Sequence, residues 1–435
     1  MGPCSAVRGG RGVLASLLVL VLVLVGCTGT SVDVPSVSPS ATGSPAPPSP
    51  SGELPARAAD TVRIAPPPDG SFLVRGSYPE VGSSCRDAEQ PRLKSRFPGR
   101  LTIRRQDDGT LALSVTLPFE RYLEGIAEVP SSWPRAALEA QAIAARSYAL
   151  ATTGWSGEEG ETLEEPICAT TSCQVYRGIP VGKRGDISRW WSAVRRTDGL
   201  VLLHDGRPAE TVYFSTSNGR TYPNEDVFGS SPLPYLRGVV ERDDGASPTS
   251  RWTSRIPFRD LATFLAEGDL WPGGRRITGV RGDGERIVVS GGGGSRTIDG
   301  GSFREAVNVW APCLRPDRYP SGALPTTIPS RWMRASSGAD GATFTGRGWG
   351  HGVGMVQWGA YGKAKRGFDA DRILGAYYGG LRPEAFPEPG LIHVQIASGL
   401  TQLRIEPSAT GATIDGEDLA EGSTIVEGGE VLAVR

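Results

Sequence analysis

The sequence predicts an α+β chain with a β-rich N-terminal part, a central helix-containing core and a small C-terminal β unit. Three observations carry this. Glycine (59) and proline (35) exceed average usage, which favours turns and strands over a helical bundle. Between residues 60 and 118, the short runs TVRI, FLVRG, LTIRR and LALSVTL are separated by the turn signals PPPDG and QDDG. The stretch SSWPRAALEAQAIAARSYALATTG then switches to helical spacing, and nowhere do strands and helices alternate as in a parallel βαβ array.

The N-terminus comes first. Arg8 and Arg11 precede an apolar run, Val13–Val25, which is followed by Gly26 and Cys27. A basic start, a short apolar run and a small residue before a cut describe an export signal over residues 1–27. The run falls short of the roughly 20 residues that span a bilayer, so a permanent transmembrane anchor is the lesser reading. Leu24-Val25-Gly26-Cys27 resembles a bacterial lipobox, implying cleavage before Cys27 and a lipid on its thiol. An ordinary signal peptide with an incidental cysteine is the alternative. Residues 28–58, rich in Ser, Thr and Pro, hold almost no large apolar side chains and read as a disordered tether. A folded body over 59–385 and a β unit over 390–435 complete the division.

Six cysteines are present. Cys4 lies in the signal and Cys27 would carry lipid, leaving Cys85, Cys168, Cys173 and Cys313. An even number in an exported chain favours disulfides. Proximity pairs Cys168 with Cys173, and elimination pairs Cys85 with Cys313, though three connectivities are possible.

Within the body, Pro134 suits the first turn of the long helix, Ser131 and Ser132 sit where a cap would, and Gly154 ends it. Leu138, Ala142, Ala145 and Ala149 make a narrow, small-residue face. Further on, TVYFSTSNGRTYPNEDVFG reads as a strand entering a polar loop, PFRDLATFLAE and FDADRILGAYYGG as helices, and RITGVRG and RIVVSG as strands. The tail from about 390 is β-rich again.

Several chemistries are excluded or weakened. Lys+Arg (46) balances Asp+Glu (47), so charge offers no case for nucleic acid. The three histidines, His204, His351 and His393, leave little room for a Ser-His-Asp triad. No G-x-S-x-G elbow, H-E-x-x-H motif or phosphate-binding loop occurs. Cys168 and Cys173 could supply two metal ligands, but no histidine lies between 150 and 200, and a zinc site needs three or four ligands.

One acid is framed differently from the rest. Glu128 in GIAEVPSSWP has Ile126, Ala127, Val129, Pro130 and Trp133 around it, at the join of two helical pieces. A carboxyl in apolar surroundings has its charged form disfavoured, which suits a general acid. The plain alternative is a solvated turn glutamate. Arg146 shares a helix face with Ala142 and Ile143, with Glu139 further back. It is aimed at a ligand or held in a structural ion pair with Glu139 or another acid.

The blocks LPFERYLEGIAEVPSSWPRAALEAQAIAARSYAL and GRGWGHGVGMVQWGAYGKAKRGFDADRILGAYYGG, with CATTSCQVYRG and YFSTSNGRTYPNEDVFG between them, resemble the stage II sporulation protein D/LytB (SpoIID/LytB) family over roughly residues 60–380. The resemblance implies a SpoIID-like fold and a cell-wall role. Family members include lytic transglycosylases acting on glycan strands stripped of stem peptides, beside an amidase, and proteins described as amidase enhancers. It makes Glu128 the catalytic glutamate, in the block usually written E-M-P and here Glu128-Val129-Pro130. It makes Arg146 the arginine of the A-A-R-[TS]-Y-A block that the family needs for activity. Some members hold zinc with one histidine and two cysteines; lacking the nearby histidine, this chain is expected to use no metal or other cofactor.

The resemblance also supplies a mechanism. Hydrolytic glycosidases generally use two carboxylates. A transglycosylase manages with one, because the sugar's own 6-hydroxyl is the nucleophile and closes a 1,6-anhydro ring.

In GRGWGHGVGMVQWG, glycine occupies every second position from Gly346 to Gly354. If the segment is extended, its glycine face lets a polymer approach, while Trp349, His351 and Gln357 bind sugar. Alternatively the glycines pack against the 134–150 helix and His351 is structural. Ser215, Ser217, Asn218 and Gly219 form a polar loop expected to line the same groove. The reading is thus an exported, lipid-anchored lytic transglycosylase outside the cell membrane. Its partners are peptidoglycan glycan strands and a cell-wall amidase. A non-catalytic glycan-binding amidase enhancer is the alternative.

Overall fold

The computed structural model describes residues 60–77, 93–158, 163, 166–179, 187–292, 294–320, 328–419, 422–429 and 432–434. The expected export signal, Cys27, the tether and Cys85 lie outside the described residues. Helices and strands mix with largely antiparallel pairing, an α+β fold as expected. The helices are α1 (Phe119–Glu124), α2 (Arg135–Thr152), α3 (Ser188–Arg196), α4 (Asn224–Phe228), α5 (Phe258–Glu267), α6 (Gly300–Leu314), α7 (Gln357–Lys365) and α8 (Ala370–Tyr377).

The predicted N-terminal strands form, and the C-terminal strands pair with them. Leu391–Leu400 runs antiparallel to Leu111–Pro118, which pairs with Arg100–Arg105 and, beyond it, Thr61–Ala65. Gln402–Pro407 runs antiparallel to Ser71–Ser77. Alternate residues on these strands point inward. Val62, Ile64, Leu101, Ile103, Leu113, Val115, Ile392 and Val394 are buried in one core with Leu138, Ala142, Ala145 and Ala149 of α2. The tail strands expected as an accessory unit therefore share sheets with residues 60–118.

Residues 252–346 build a second core. Trp252–Pro257, Gly341–Gly346, Met333–Ser337, Ile277–Gly284, Arg286–Gly291 and Gly294–Asp299 form a six-stranded antiparallel sheet in that order. Phe264 and Leu265 of α5 and Phe303 and Val307 of α6 are buried together with residues of the sheet. A third cluster gathers α2, α7 and α8 around Ala140, Ile143, Ala144, Val356, Ile373 and Tyr378. So α2 packs on two cores at once, which its many alanines permit by letting neighbours approach closely. Among the described residues no helix is long and apolar enough to cross a membrane.

Candidate active site

Glu128 lies between α1 and α2, in a loop clamped from outside by α3. Indole Nε1 of Trp190 donates to the carbonyl of Leu123 (3.0 Å) and that of Trp191 to the carbonyl of Glu124 (3.1 Å), satisfying orphan carbonyls at the end of α1. Arg189 donates to the carbonyls of Ser132 and Trp133. Ser131 and Ser132, expected as caps, are not: α2 begins after Pro134 with no side-chain cap, and Ser131 Oγ instead accepts the Trp190 amide at 3.1 Å. Trp133 packs on Trp358 and Tyr361 of α7, with ring centroids 4.9 and 5.3 Å away, which ties the loop to the helix carrying Gln357. That helix is anchored from behind, where the Lys363 ammonium bonds Glu241 (2.9 Å), Asp243 (3.0 Å) and the Tyr377 hydroxyl (3.1 Å).

The partly buried Glu128 carboxyl has three neighbours that set its chemistry. Oε1 accepts the Val175 backbone N–H at 2.7 Å, and Oε2 accepts Gln357 Nε2 at 3.4 Å. The same Nε2 donates to Gln141 Oε1 at 3.4 Å. Arg177, exposed and two residues beyond Val175, adds a positive charge. Burial outweighs these three and holds the carboxyl above its ordinary range, the direction a proton donor requires. The phenols of Tyr122, Tyr148 and Tyr213 feel the Glu128 charge and are themselves pushed up, mainly by burial. Two of them are fixed by the fully buried Gln174, which accepts from the Tyr122 hydroxyl (2.6 Å) and donates to that of Tyr213 (2.9 Å).

Val175 and Gln174 are placed by a turn that the Cys168–Cys173 disulfide closes, and the expected pairing of these two cysteines is present. Antiparallel bonds follow: the Ala127 N–H donates to the carbonyl of Val175 and the Arg177 N–H to that of Gly125, each at 2.9 Å. Cys313 is also disulfide-bonded.

The other expected site residues divide. Gln357 joins Glu128; Arg146 does not. Its guanidinium is fully buried, with Nη2 2.8 Å from Glu120 Oε1 and Nε 2.5 Å from Glu388 Oε1, the latter outside hydrogen-bond alignment. It also donates to Thr197 Oγ1 and to the carbonyls of Leu200 and Val194. This is the structural ion pair that the sequence left open, with Glu120 and Glu388 as the acids. Glu139, weighed as the partner, faces Arg135. Glu388 is driven up to about 7 by burial and the neighbouring Glu120, against the pull of Arg146.

The glycine run is a loop whose alternate glycines take positive φ, not an extended face open to a polymer. Gly348, Gly350, Gly352 and Gly354 all have positive φ, from +75° to +115°. A Cβ on Gly354 would stand 2.0 Å from the carbonyl oxygen of Val212, and one on Gly350 2.7 Å from Cβ of Phe214. Gly348, Gly350 and Gly354 therefore close on the segment 212–217, and Gly352 on Trp332 and Tyr222, not on α2. His351 is locked as a neutral ring: Nε2–H donates to the carbonyl of Tyr213 (2.8 Å) and Nδ1 accepts the Val353 N–H (3.2 Å). Burial lowers its pKa to about 4, so it is no proton carrier near neutral pH. Ser217 is buried on Asp244, and its Oγ accepts the Gly219 N–H at 2.9 Å; Asn218 donates to the Tyr222 hydroxyl. Ser215 Oγ meets Thr216 Oγ1 at 3.1 Å. Trp349, 41 % exposed, is the one side chain of the expected sugar-binding set that presents a large apolar surface to solvent.

Residues 107–204 match the SpoIID family, described as stage II sporulation protein. An uncharacterised protein of Brachyspira hyodysenteriae is 30 % identical over 282 residues, covering 62 % of this chain and 68 % of that protein. The stage II sporulation protein D of Bacillus subtilis is 28 % identical over 287 residues, covering 61 % of this chain and 74 % of that protein. The amidase enhancer of the same organism is 28 % identical over 290 residues, covering 58 % of this chain and 38 % of that protein.

Proposed function

The chain belongs to the SpoIID family, and on that premise we propose that it is an extracytoplasmic lytic transglycosylase of peptidoglycan glycan strands. Glu128 is its acid and base. It cleaves the bond between N-acetylmuramic acid and N-acetylglucosamine in strands freed of stem peptides. The product ends are 1,6-anhydro-muramyl. Cys27 carries a lipid that holds the enzyme at the outer face of the membrane, and a cell-wall amidase works upstream of it.

The observation that carries this reading is the Glu128 carboxyl, raised by burial and held at Oε1 by one short backbone hydrogen bond. Its proton is then available on Oε2, to be given to the glycosidic oxygen. The resulting carboxylate is stabilised by Val175 N–H and Gln357, and accepts the proton of the sugar's 6-hydroxyl as the anhydro ring closes. Arg146 enters no step; it supports α1, α3 and the 383–390 connection from inside.

The test incubates soluble protein beginning near Leu54 with amidase-stripped strands in H₂¹⁸O. Anhydro ends without ¹⁸O, from the wild type and not from Glu128→Gln, are the expected result. Ordinary reducing ends carrying ¹⁸O would replace this reading with a hydrolase. The likeness to a protein named amidase enhancer favours a second reading, a glycan-binding activator without chemistry. Absence of cleavage together with stimulation of an added amidase by both wild type and Glu128→Gln would select it.

A further inference from the structure

We infer that Gln141 is a positioning residue for the acid, acting through Gln357 to keep the donor end of that amide turned toward Glu128. The inference rests on Glu128 being the acid, and it concerns a residue on α2 that meets Glu128 through a shared partner, Gln357 Nε2.

An amide side chain presents a donor at one end and an acceptor at the other, and a half-turn exchanges them. Gln357, buried at the start of α7, uses one nitrogen for two acceptors, Glu128 Oε2 and Gln141 Oε1, both at 3.4 Å. Were Gln357 reversed alone, its carbonyl would face the Gln141 carbonyl, acceptor against acceptor. With its carbonyl end toward Gln357, Gln141 favours the orientation of that amide that stabilises a carboxylate on Glu128, the state left after the proton is given. Bonds of this length in a free site shorten when charge develops on the acceptor.

The arrangement works against stability. Gln141 is 1 % exposed, and its Nε2 has no hydrogen-bond partner among the described residues. An unpaired donor in a small-residue core destabilises the folded chain. A residue serving packing alone would be better as a leucine or methionine. Local rules broken without structural gain are characteristic of functional positions.

The titratable groups facing Glu128 are Tyr122 beyond α1's midpoint, Tyr148 of α2, Tyr213 of the Tyr213–Phe214 strand, and Arg177 of the 174–179 segment. The phenols, themselves pushed up by burial, stay neutral across the working range. A change in the Glu128 titration between neutral and acid pH then reports on its hydrogen bonds.

The experiment uses Gln141→Met, Gln357→Met and the double variant in the soluble protein. The Glu128 carboxyl is titrated by ¹³C NMR of glutamate-labelled protein, assigned by loss of the signal in Glu128→Gln. Gln141→Met should raise the Glu128 titration point because Gln357 is then free to turn its carbonyl toward the carboxyl, and Gln357→Met should raise it because the donor itself is gone. The double variant should equal Gln357→Met, since Gln141 acts only through it. Thermal stability of Gln141→Met should equal or exceed that of the wild type. On stripped glycan strands kcat should fall about tenfold with KM unchanged, the worth of one charge-assisted hydrogen bond.

A further shift in the double variant, or an unmoved titration point with a lowered melting temperature, would overturn the inference in favour of a structural role. If Gln141→Met fails to fold, Gln141→Asn keeps an amide but draws it back from Gln357, and must raise the titration point too. Should the wild type cleave nothing, the transglycosylase reading fails while the NMR arm still decides the role of Gln141.

Discussion

Replacing Arg146 by methionine separates a structural arginine from a catalytic one. The side chain is fully buried and balances Glu120 and Glu388, whose side chains are 33 % and 15 % exposed. Glu120 can turn to water, so the damage concentrates on Glu388. Removing one partner of a buried pair costs about 3–5 kcal/mol. For a chain of this size that is a fall in melting temperature of about 6–10 °C, at ~2 °C per kcal/mol.

The loss should depend on pH. Glu388 titrates at about 7 with Arg146 present, and Arg146 lowers that value, so its removal raises it further. Between the two values the variant's folded state binds more protons than the wild type's, while both unfolded chains have released theirs. The destabilisation therefore grows as pH rises through about 7 and is smallest near pH 5. Adding Glu388→Leu to Arg146→Met should recover most of the lost stability, because the stranded charge goes with its partner. Calorimetry at pH 5 and pH 8, with strand cleavage measured below the transition of each variant, forms the assay. Cleavage should persist wherever Arg146→Met is folded. A variant as stable as the wild type but inactive would refute the structural assignment and put Arg146 back among the reacting groups.

Three further outcomes are expected. Glu128→Gln should be more stable than the wild type above about pH 5 and no more stable below it. Its folded carboxyl is raised, so the stability it contributes is complete below the ordinary carboxylate range and is lost as it ionises; chemical denaturation at pH 4 and pH 8 measures this. Gly354→Ala should lose about 3 kcal/mol or more, since φ is +75° and the new methyl would meet the Val212 carbonyl, with a drop in the urea midpoint as the readout. Cys168→Ser/Cys173→Ser should lose about 2 kcal/mol for so short a loop. It should also slow cleavage, because the turn it frees carries the Val175 N–H that holds Oε1. Unchanged kcat in the reduced-loop variant would mean that the turn is set by its backbone bonds alone.

Much of the site was legible because it is local. The Val129-Pro130 step, the apolar residues around Glu128 and the strongly periodic helix after Pro134 lie within one stretch, and the Cys168–Cys173 spacing speaks for itself. Gln357 was singled out beside the glycine run, but as a sugar-binding residue and not as a partner of Glu128. What escaped is what reaches Glu128 from far along the chain. Val175 contributes a backbone N–H, for which no side-chain signal exists. Gln174 and Arg177 sit in a segment with no periodicity. Gln141 did leave a trace: it lies three residues after Leu138 and four before Ala145, a polar residue on the face otherwise made of small and apolar ones. The glycine run left two readings open, an extended binding face or tight packing with a structural His351, and the chain takes the second, though not against α2. Four alternate glycines take positive φ, and the space of their missing side chains is filled at Gly348, Gly350 and Gly354 by the segment 212–217 and at Gly352 by Trp332 and Tyr222. The pairing of the tail with residues 60–118 is likewise non-local, and strand periodicity gives a face but not a partner.

The groups acting on Glu128 bear on how little chemistry the protein needs to supply. They are one backbone N–H, one glutamine amide, one guanidinium and three phenols, and no second carboxyl is among them. A hydrolase would require an acid opposite, either close enough to attack the sugar or far enough to seat a water. On the proposed transglycosylase reading, with no second carboxyl among the described groups that act on Glu128, the proton of the attacking oxygen returns to the group that donated the first, so both half-reactions share a single site. Such a group has to be stable both with and without its proton. Burial among tyrosines favours the protonated form, and the Val175 N–H with Gln357 favours the ionised one. These influences oppose each other, burial being the larger, so the carboxyl is raised yet its ionised form keeps two hydrogen-bond donors, as a group used as acid and base in turn requires. Arg146 is consistent with this division. Placed near Glu128 it would have pulled the balance toward the carboxylate, whereas it is paired with Glu120 and Glu388 instead.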